Sequence, residues 1–463
     1  MPLSSLGEIF FESAKRWPNQ NAIEYEGQIL TYQEVSDRAL RLADRISREA
    51  KLGSGIIAFE CPRGTNAYIS ILAILAAGKT YMPIPSSWPV ARRQAVLRQT
   101  NPELFLRSNE SGNASTFTTS GPQPAGQIAY LLFTSGSTGL PKGIAIRQTQ
   151  ILSYLSAISA VIPLRETDRV SQTFDLAFDL SVHDLFTCWS AGACLVHVNE
   201  RRLMTPARAV NELGLTVWFS TPSVVARALT SLEPMPGLRE SLFCGESLQV
   251  TTAEAWRDRA RASHLHNIYG PTEATVGITH LSCAPGQALA RGANDLVPIG
   301  HVLPPNEARL NERGELQLRG PQVIPSYFDG GGNFPEGWYP TGDLMKSGSY
   351  GFEFLGRSDD QVKLRGFRVE LGEIDGVLRQ ETSVRTITLV WPGHPEPGEL
   401  LFSFIEKTSI TNQEKLDLIE ACRRKLPEYM VPFDIFAVHP FPVTANGKTD
   451  LVALRQIAGR SLD

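Results

Sequence analysis

Leu131-Leu132-Phe133-Thr134-Ser135-Gly136-Ser137-Thr138-Gly139-Leu140-Pro141-Lys142-Gly143 joins an apolar run to a stretch of small hydroxyl residues and glycines. Glycine lets backbone N–H groups converge on an anion, and Ser/Thr hydroxyls and a lysine add donors around it. The segment therefore predicts a buried strand that empties into a phosphate-gripping loop, the arrangement of an α/β fold. It is not a Walker A loop, whose order is G-x-x-x-x-G-K-[ST]. Gly78-Lys79-Thr80 ends like one, but Ala73 stands where the leading glycine belongs. A flexible linker would share the Ser/Gly/Thr composition, so the choice falls to segments further along.

Those segments are Tyr269-Gly270-Pro271-Thr272-Glu273-Ala274-Thr275, then Tyr339-Pro340-Thr341-Gly342-Asp343. Gly356-Arg357-Ser358-Asp359-Asp360-Gln361-Val362-Lys363-Leu364-Arg365-Gly366-Phe367-Arg368-Val369-Glu370 follows, and Asn446-Gly447-Lys448 comes last. In this order they resemble the signature motifs of the adenylate-forming enzymes, which include the adenylation domains of nonribosomal peptide synthetases. The resemblance runs from about Leu30 to Asp450. Ordered context of this kind removes the linker reading.

The 463 residues exceed the usual single-domain size, so two or more domains are expected. A formal net charge of −4 offers no basic footprint for nucleic acid and no cationic face for a membrane. The six cysteines lack C-x-x-C spacing and read as reduced, mostly buried thiols; the eight histidines lack H-E-x-x-H. A protein-only metal site is not indicated. Residues Met1 to Phe11 lack a signal-peptide pattern, and the apolar stretch Ile69 to Ala77 is too short for a bilayer. The expected location is cytoplasmic.

Strand and helix patterns alternate through most of the chain, which argues for an α/β architecture with largely parallel sheets. Thr31 with Glu34 forms a capping box, and Val35, Ala39, Leu42 and Ile46 recur on one helical face. A boundary is expected at Gly356 to Asp360. It separates a large N-terminal domain of sheets flanked by helices, residues 1–355, from a small α+β domain at 361–463, with 356–360 as hinge. In the small unit, strands are expected at Thr386 to Trp391, Leu400 to Ile405 and Asp434 to Val438. A helix between them should bury Leu416, Ile419, Cys422 and Leu426. Asn446-Gly447 signals a tight turn.

The resemblance implies that a carboxylate attacks the α-phosphate of ATP and expels pyrophosphate. Such a step depends on positioning and on stabilising charge at the phosphoryl oxygens. By the same resemblance Thr134, Ser135, Gly136, Ser137, Thr138, Gly139 and Lys142 hold the β- and γ-phosphates, and Glu273 is the Mg2+ ligand. Tyr269 lies against adenine, and Asp343, an acceptor-only carboxylate, takes the ribose hydroxyls. Further nucleotide contacts are implied for Gly245, Glu246, Asn267, Gly270, Thr272 and Arg357. Lys448 would bridge substrate carboxylate and phosphate, delivered by a small domain that turns about Asp359, and Gly366 then sits beside the incoming thiol. Pro85, Pro325-Ser326, Pro340 and Leu451 depart from the family pattern without touching this chemistry.

Phe174-Asp175-Leu176-Ala177-Phe178-Asp179-Leu180-Ser181-Val182-His183-Asp184 bears on the acid. Amino-acid-activating members carry Phe-Asp-x-Ser here, with the aspartate on the substrate ammonium; Asp179 fits that position. A carboxylate inside a pocket is costly unless it meets a cation. The implied lining is His183, Phe219, Leu242, Cys244, Ile268, Val276 and Gly277, so a small, uncharged side chain is expected. The segments around Phe219 and Cys244 look much like those of D-alanine–carrier protein ligases. No carrier segment follows Lys448, so the expected acceptor is the phosphopantetheine thiol of a separate carrier protein. An acyl-CoA ligase shares the ATP motifs but gives Asp179 no role. A non-catalytic nucleotide-binding relic would be expected to have lost Lys448 or Glu273.

Overall fold

The computed structural model describes residues 5–50, 53–60, 62–107, 128–134, 141–332, 334–359, 361–364, 366–391, 400–443 and 449–459. By its internal contacts the chain divides into two compact units. One holds Met1–Pro85, Thr100–Phe133 and Gly143–Ser358; the other holds Ser86–Gln99, Thr134–Lys142 and Asp359–Asp463.

The first unit is built on a nine-stranded and a five-stranded sheet, with a four-stranded antiparallel sheet beside them in sequence. In the nine-stranded sheet the strands His264–Tyr269, Glu240–Phe243, Val217–Ser220, Arg169–Gln172, Cys194–His197 and Asn21–Tyr25 lie side by side and parallel. Parallel strands are covered on both faces and read as continuous apolar runs. Val217–Ser220, Glu240–Phe243 and Cys194–His197 are buried at every position. Antiparallel strands Thr279–Cys283 and Gln28–Thr31 extend the two sides.

The helices that cover these sheets follow from local sequence. Helix Tyr32–Glu49 starts on the expected capping box: the Thr31 hydroxyl accepts from the Glu34 N–H, and the Glu34 carboxylate accepts from the Thr31 N–H. Its buried face is Val35, Ala39, Ala43 and Ile46, with Leu42 half-buried at the rim. Helix Leu180–Ser190 is buried all round, from Leu180 to Trp189. Its buried polar residues include Ser181, His183, Asp184 and Thr187, so the helix brings polar as well as apolar side chains after Asp179 into the core.

In the second unit the strands Thr386–Trp391, Leu400–Ile405 and Asp434–Ala437 form one sheet, and Gln361–Leu364 pairs with Phe367–Glu370 as a hairpin. Helix Asn412–Lys425 buries Leu418, Ala421 and Cys422, whereas Leu416 is 59% exposed. The expectation for Leu416 is thus corrected: it lies about 200° around the helix from Leu418, on the solvent side. Helix Val90–Thr100 joins this unit through a sealed ion pair, Arg92 to Glu373 at 2.7 Å. The turn expected at Asn446-Gly447 lies outside the described residues. Among the described residues no helix is long and apolar enough to cross a membrane.

Candidate active site

The expected site residues of the first unit gather at one end of its parallel strands. Phe219, Leu242 and Ile268 stand in neighbouring strands, and Thr221, Cys244 and Gly270 follow the strand ends. Ligands of parallel α/β sheets bind just beyond the carboxyl ends of the strands.

At one side of this set is Asp343, in strand Tyr339–Gly348. Its side chain is nearly sealed, and each oxygen has a partner: the Tyr269 hydroxyl donates at 2.5 Å and the Arg357 guanidinium donates to the other oxygen. Burial first, then the Asp343 charge, raise the Tyr269 phenol, which stays protonated and remains a donor. Tyr269 and Asp343 were expected to contact adenine and ribose separately. Here the two are tied to each other, a bond that motif spacing does not reveal. A carboxylate has about four lone-pair positions, so among the described residues these donors leave two for hydroxyl groups. Asn267 donates its amide to the carbonyls of Val297 and Pro298, which leaves its side-chain oxygen. Glu246 accepts the Ser223 N–H at 2.8 Å, and Gly245 adopts φ 89° between Leu180 and Thr221.

Tyr269 leads into the turn that carries Glu273. A Cβ at Gly270 would lie 2.8 Å from the Gly277 Cα and from the Val276 carbonyl oxygen, so only glycine fits there. Thr275 and Val276 are both left-handed, at φ 58° and 68°. For a β-branched valine this is a strained conformation, of the kind that concentrates at functional sites. Gln322 clamps the turn by donating its amide towards the carbonyls of Ala274, Thr275 and Gly277. The strained Val276 N–H points at Asp179 and donates to its Oδ2 at 3.1 Å. Glu273 is 1% exposed and accepts from the Tyr327 hydroxyl at 3.2 Å.

Asp179 precedes helix Leu180–Ser190 and is 7% exposed. Burial pushes its carboxyl up to about 6; the Val276 N–H opposes the shift, the Glu273 charge adds to it, and the Thr272 hydroxyl and Leu180 N–H lower it. Among the described residues no arginine, lysine or histidine pairs with it. One turn later His183 is buried, its Nδ1 2.7 Å from the Tyr154 hydroxyl and its ring edge-on to Phe219 at 4.6 Å. Phe219 in turn meets Phe174 at 4.9 Å. Leu242, Cys244, Ile268 and Val276 are all buried, and a Cβ at Gly277 would lie 2.5 Å from the Ile268 Cγ2.

Sequence reading missed Tyr154, Gln322 and Tyr327. Each lies outside the quoted motifs, and a tyrosine inside helix Gln148–Val161 carries no local sign of its partner. In the second unit Asp359 is exposed and accepts the Gln361 N–H, and Gly366 takes φ 85° in the hairpin turn. Thr134 and Lys142 end and begin strands Ile128–Thr134 and Lys142–Arg147. Ser135, Gly136, Ser137, Thr138, Gly139 and Lys448 lie outside the described residues.

Residues 10–328 match the AMP-binding enzyme family. Phosphinothricin tripeptide synthetase PhsC of Streptomyces viridochromogenes is 31% identical, over 99% of this chain and 46% of its own length. This chain thus spans less than half of that relative. The crystal structure of the Vibrio cholerae adenylation domain AlmE in complex with glycyl-adenosine-5'-phosphate has a TM-score of 0.84 at 28% identity, covering 99% of this chain and 98% of that one. The o-succinylbenzoate CoA synthetase MenE of Bacillus subtilis has a TM-score of 0.82 at 19% identity, covering 96% and 97%. The fold is therefore common to adenylation domains and a CoA synthetase, and the choice between those chemistries falls to the side chains.

Proposed function

As the chain belongs to the AMP-binding enzyme family, we propose that it activates a small, uncharged amino acid with ATP and passes the aminoacyl group to the phosphopantetheine thiol of a carrier protein. One observation carries the amino-acid reading: Asp179 is a buried carboxylate that meets neutral N–H and O–H donors, the Glu273 charge nearby, and no cation among the described residues. A buried carboxylate left without a cation is strongly unfavourable, and an α-ammonium group supplies the missing charge. The buried lining from Phe219 to Gly277 supports a small side chain.

In the first half-reaction a substrate carboxylate oxygen forms a bond to the α-phosphorus, the α–β P–O bond breaks, and pyrophosphate leaves. In the second, the thiol sulfur bonds to the acyl carbon and AMP leaves. Asp179 orients the amine. Asp343, already braced by Tyr269 and Arg357, accepts the ribose hydroxyls, and Gly245, Glu246, Asn267, Gly270 and Thr272 surround the nucleotide. The loop from Thr134 to Lys142 donates to the phosphates. Glu273, a single sealed carboxylate, suits Mg2+, which takes one or two carboxylates beside water and phosphate oxygens. When bound, the ion supplies positive charge for the pyrophosphate. Lys448 stabilises charge in the first half-reaction only, and residues 356–360 are the hinge that withdraws it, turning about Asp359 to bring Gly366 towards the thiol.

Amino-acid-dependent exchange of pyrophosphate into ATP tests the first half. Holo-carrier protein and free coenzyme A offered as competing acceptors test the second. Small uncharged amino acids are expected to drive exchange, and the carrier to be acylated faster. Exchange driven only by amine-free acids, or faster acylation of coenzyme A, would move the protein to the acyl-CoA class.

A further inference from the structure

Besides the Thr272 hydroxyl, a second polar side chain lies near Asp179. His183 stands one helical turn after it, on the same face. Burial, and then the neighbouring His266, push the His183 imidazole down to about 3, so at neutral pH it carries a single N–H. The position of that hydrogen follows from Tyr154. Its hydroxyl lies 2.7 Å from His183 Nδ1, and no other acceptor for it is found among the described residues. The phenol hydrogen therefore goes to Nδ1, and the imidazole hydrogen sits on Nε2. No described residue accepts from Nε2, so among the described residues this buried donor is without an acceptor.

Apolar neighbours lie close to the ring. Phe219 packs on the imidazole at 4.6 Å. A Cβ at Gly277 would meet the Ile268 Cγ2 at 2.5 Å and the Tyr154 ring at 3.4 Å, so this side is filled by the protein's own side chains. A fixed donor beside apolar side chains selects an acceptor on the ligand, because a ligand without one leaves the donor unpaired.

Resting on the amino-acid reading above, we propose that the substrate is a small amino acid bearing a side-chain hydroxyl, of the serine or threonine kind, whose oxygen accepts from His183 Nε2–H. Tyr154 is the positioning residue that fixes the tautomer and the ring. The test is kcat/KM for pyrophosphate exchange with both enantiomers of serine, threonine and alanine, with glycine and with lactate. One hydroxy amino acid is expected to exceed the matching alanine enantiomer and glycine by about 10- to 100-fold. Tyr154→Phe and His183→Ala should each shrink that hydroxyl-to-alanine ratio several-fold, through KM more than kcat. A purely structural loss would lower both substrates alike and leave the ratio unchanged, which would overturn the role of Tyr154. Alanine or glycine matching the hydroxy amino acids in the unmodified protein would overturn the substrate class while keeping the amino-acid reading. Lactate exceeding every amino acid would overturn both.

Discussion

Asp343 and Asp179 are two carboxylates of the same unit, 2% and 7% exposed, and the fold treats them in opposite ways. Asp343 has a guanidinium on one oxygen and a phenol on the other. Among the described residues Asp179 has only neutral donors and the negative charge of Glu273 nearby. A buried charge with its own cation is complete and can add neutral hydroxyl ligands through spare lone pairs. A buried charge without one stays short of a partner until a cationic ligand arrives. On the proposed function the first kind of site suits a sugar and the second an ammonium, and the difference between them would orient a substrate that presents both.

The contrast is broken most severely by removing the cation that Asp343 possesses. Arg357→Leu leaves a sealed carboxylate unpaired and is expected to cost about 3–5 kcal/mol of stability. Asp179→Asn deprives no charge among the described residues of its partner and should leave stability unchanged or slightly raised. Urea unfolding of both variants checks this, and similar losses in the two would erase the distinction.

Activity reverses the ranking. Asp179→Ala forfeits a charged pair with the ammonium worth about 2–5 kcal/mol, a loss of roughly 30- to several-thousand-fold in kcat/KM. The deaminated analogue should lose little. Comparable losses for both substrates would mean that Asp179 is not the amine's partner.

A smaller effect is expected at the other carboxylate. Tyr269→Phe removes one donor from Asp343 and leaves Arg357 in place, at a cost of about 1.5–3 kcal/mol. The change should appear in the KM for ATP and not in that for the amino acid. A loss shared between the two substrates would show that the two ends are not separable.

The mildest perturbation is proton concentration. With Asp179 raised from its ordinary 3.8 to about 6, the free enzyme loses the negative charge as pH falls below that value. kcat/KM for the amino acid should then drop about tenfold per pH unit. The same shift has the opposite sign for stability. The folded state binds this proton more tightly than the unfolded chain, so between pH 6 and 4 the contribution of Asp179 to stability grows as pH falls. A profile flat through pH 6 would place the titration elsewhere.

Much of the fold is legible in the chain because its signals are local. The capping box at Thr31 and Glu34, the strands at Thr386–Trp391 and Leu400–Ile405, and the alternation of strand and helix depend on neighbours within a few residues. Leu416 was misread because several helical faces of Asn412–Lys425 carry apolar residues, and only the docked neighbours choose among them. Asp343, Tyr269, Arg357 and Asp179 were all named from motifs. That Tyr269 and Arg357 both bond to Asp343, and that Asp179 has no cation among the described residues, was not visible at that level.

The sequence by itself determined which residues could do chemistry: the types, the order and the turns at Gly270 and Gly366 are properties of the chain. Tertiary structure alone decided what each of them meets. Tyr154 lies 29 residues before His183, Gln322 lies 45 beyond Gly277, and the Val276 N–H reaches Asp179 across 97 positions. A hydrogen bond acts over about 3 Å, and only the packing of strands and helices brings such distant positions that close. The same packing excludes water, and the exclusion of water is what makes a carboxylate without a cation costly enough to demand a particular ligand.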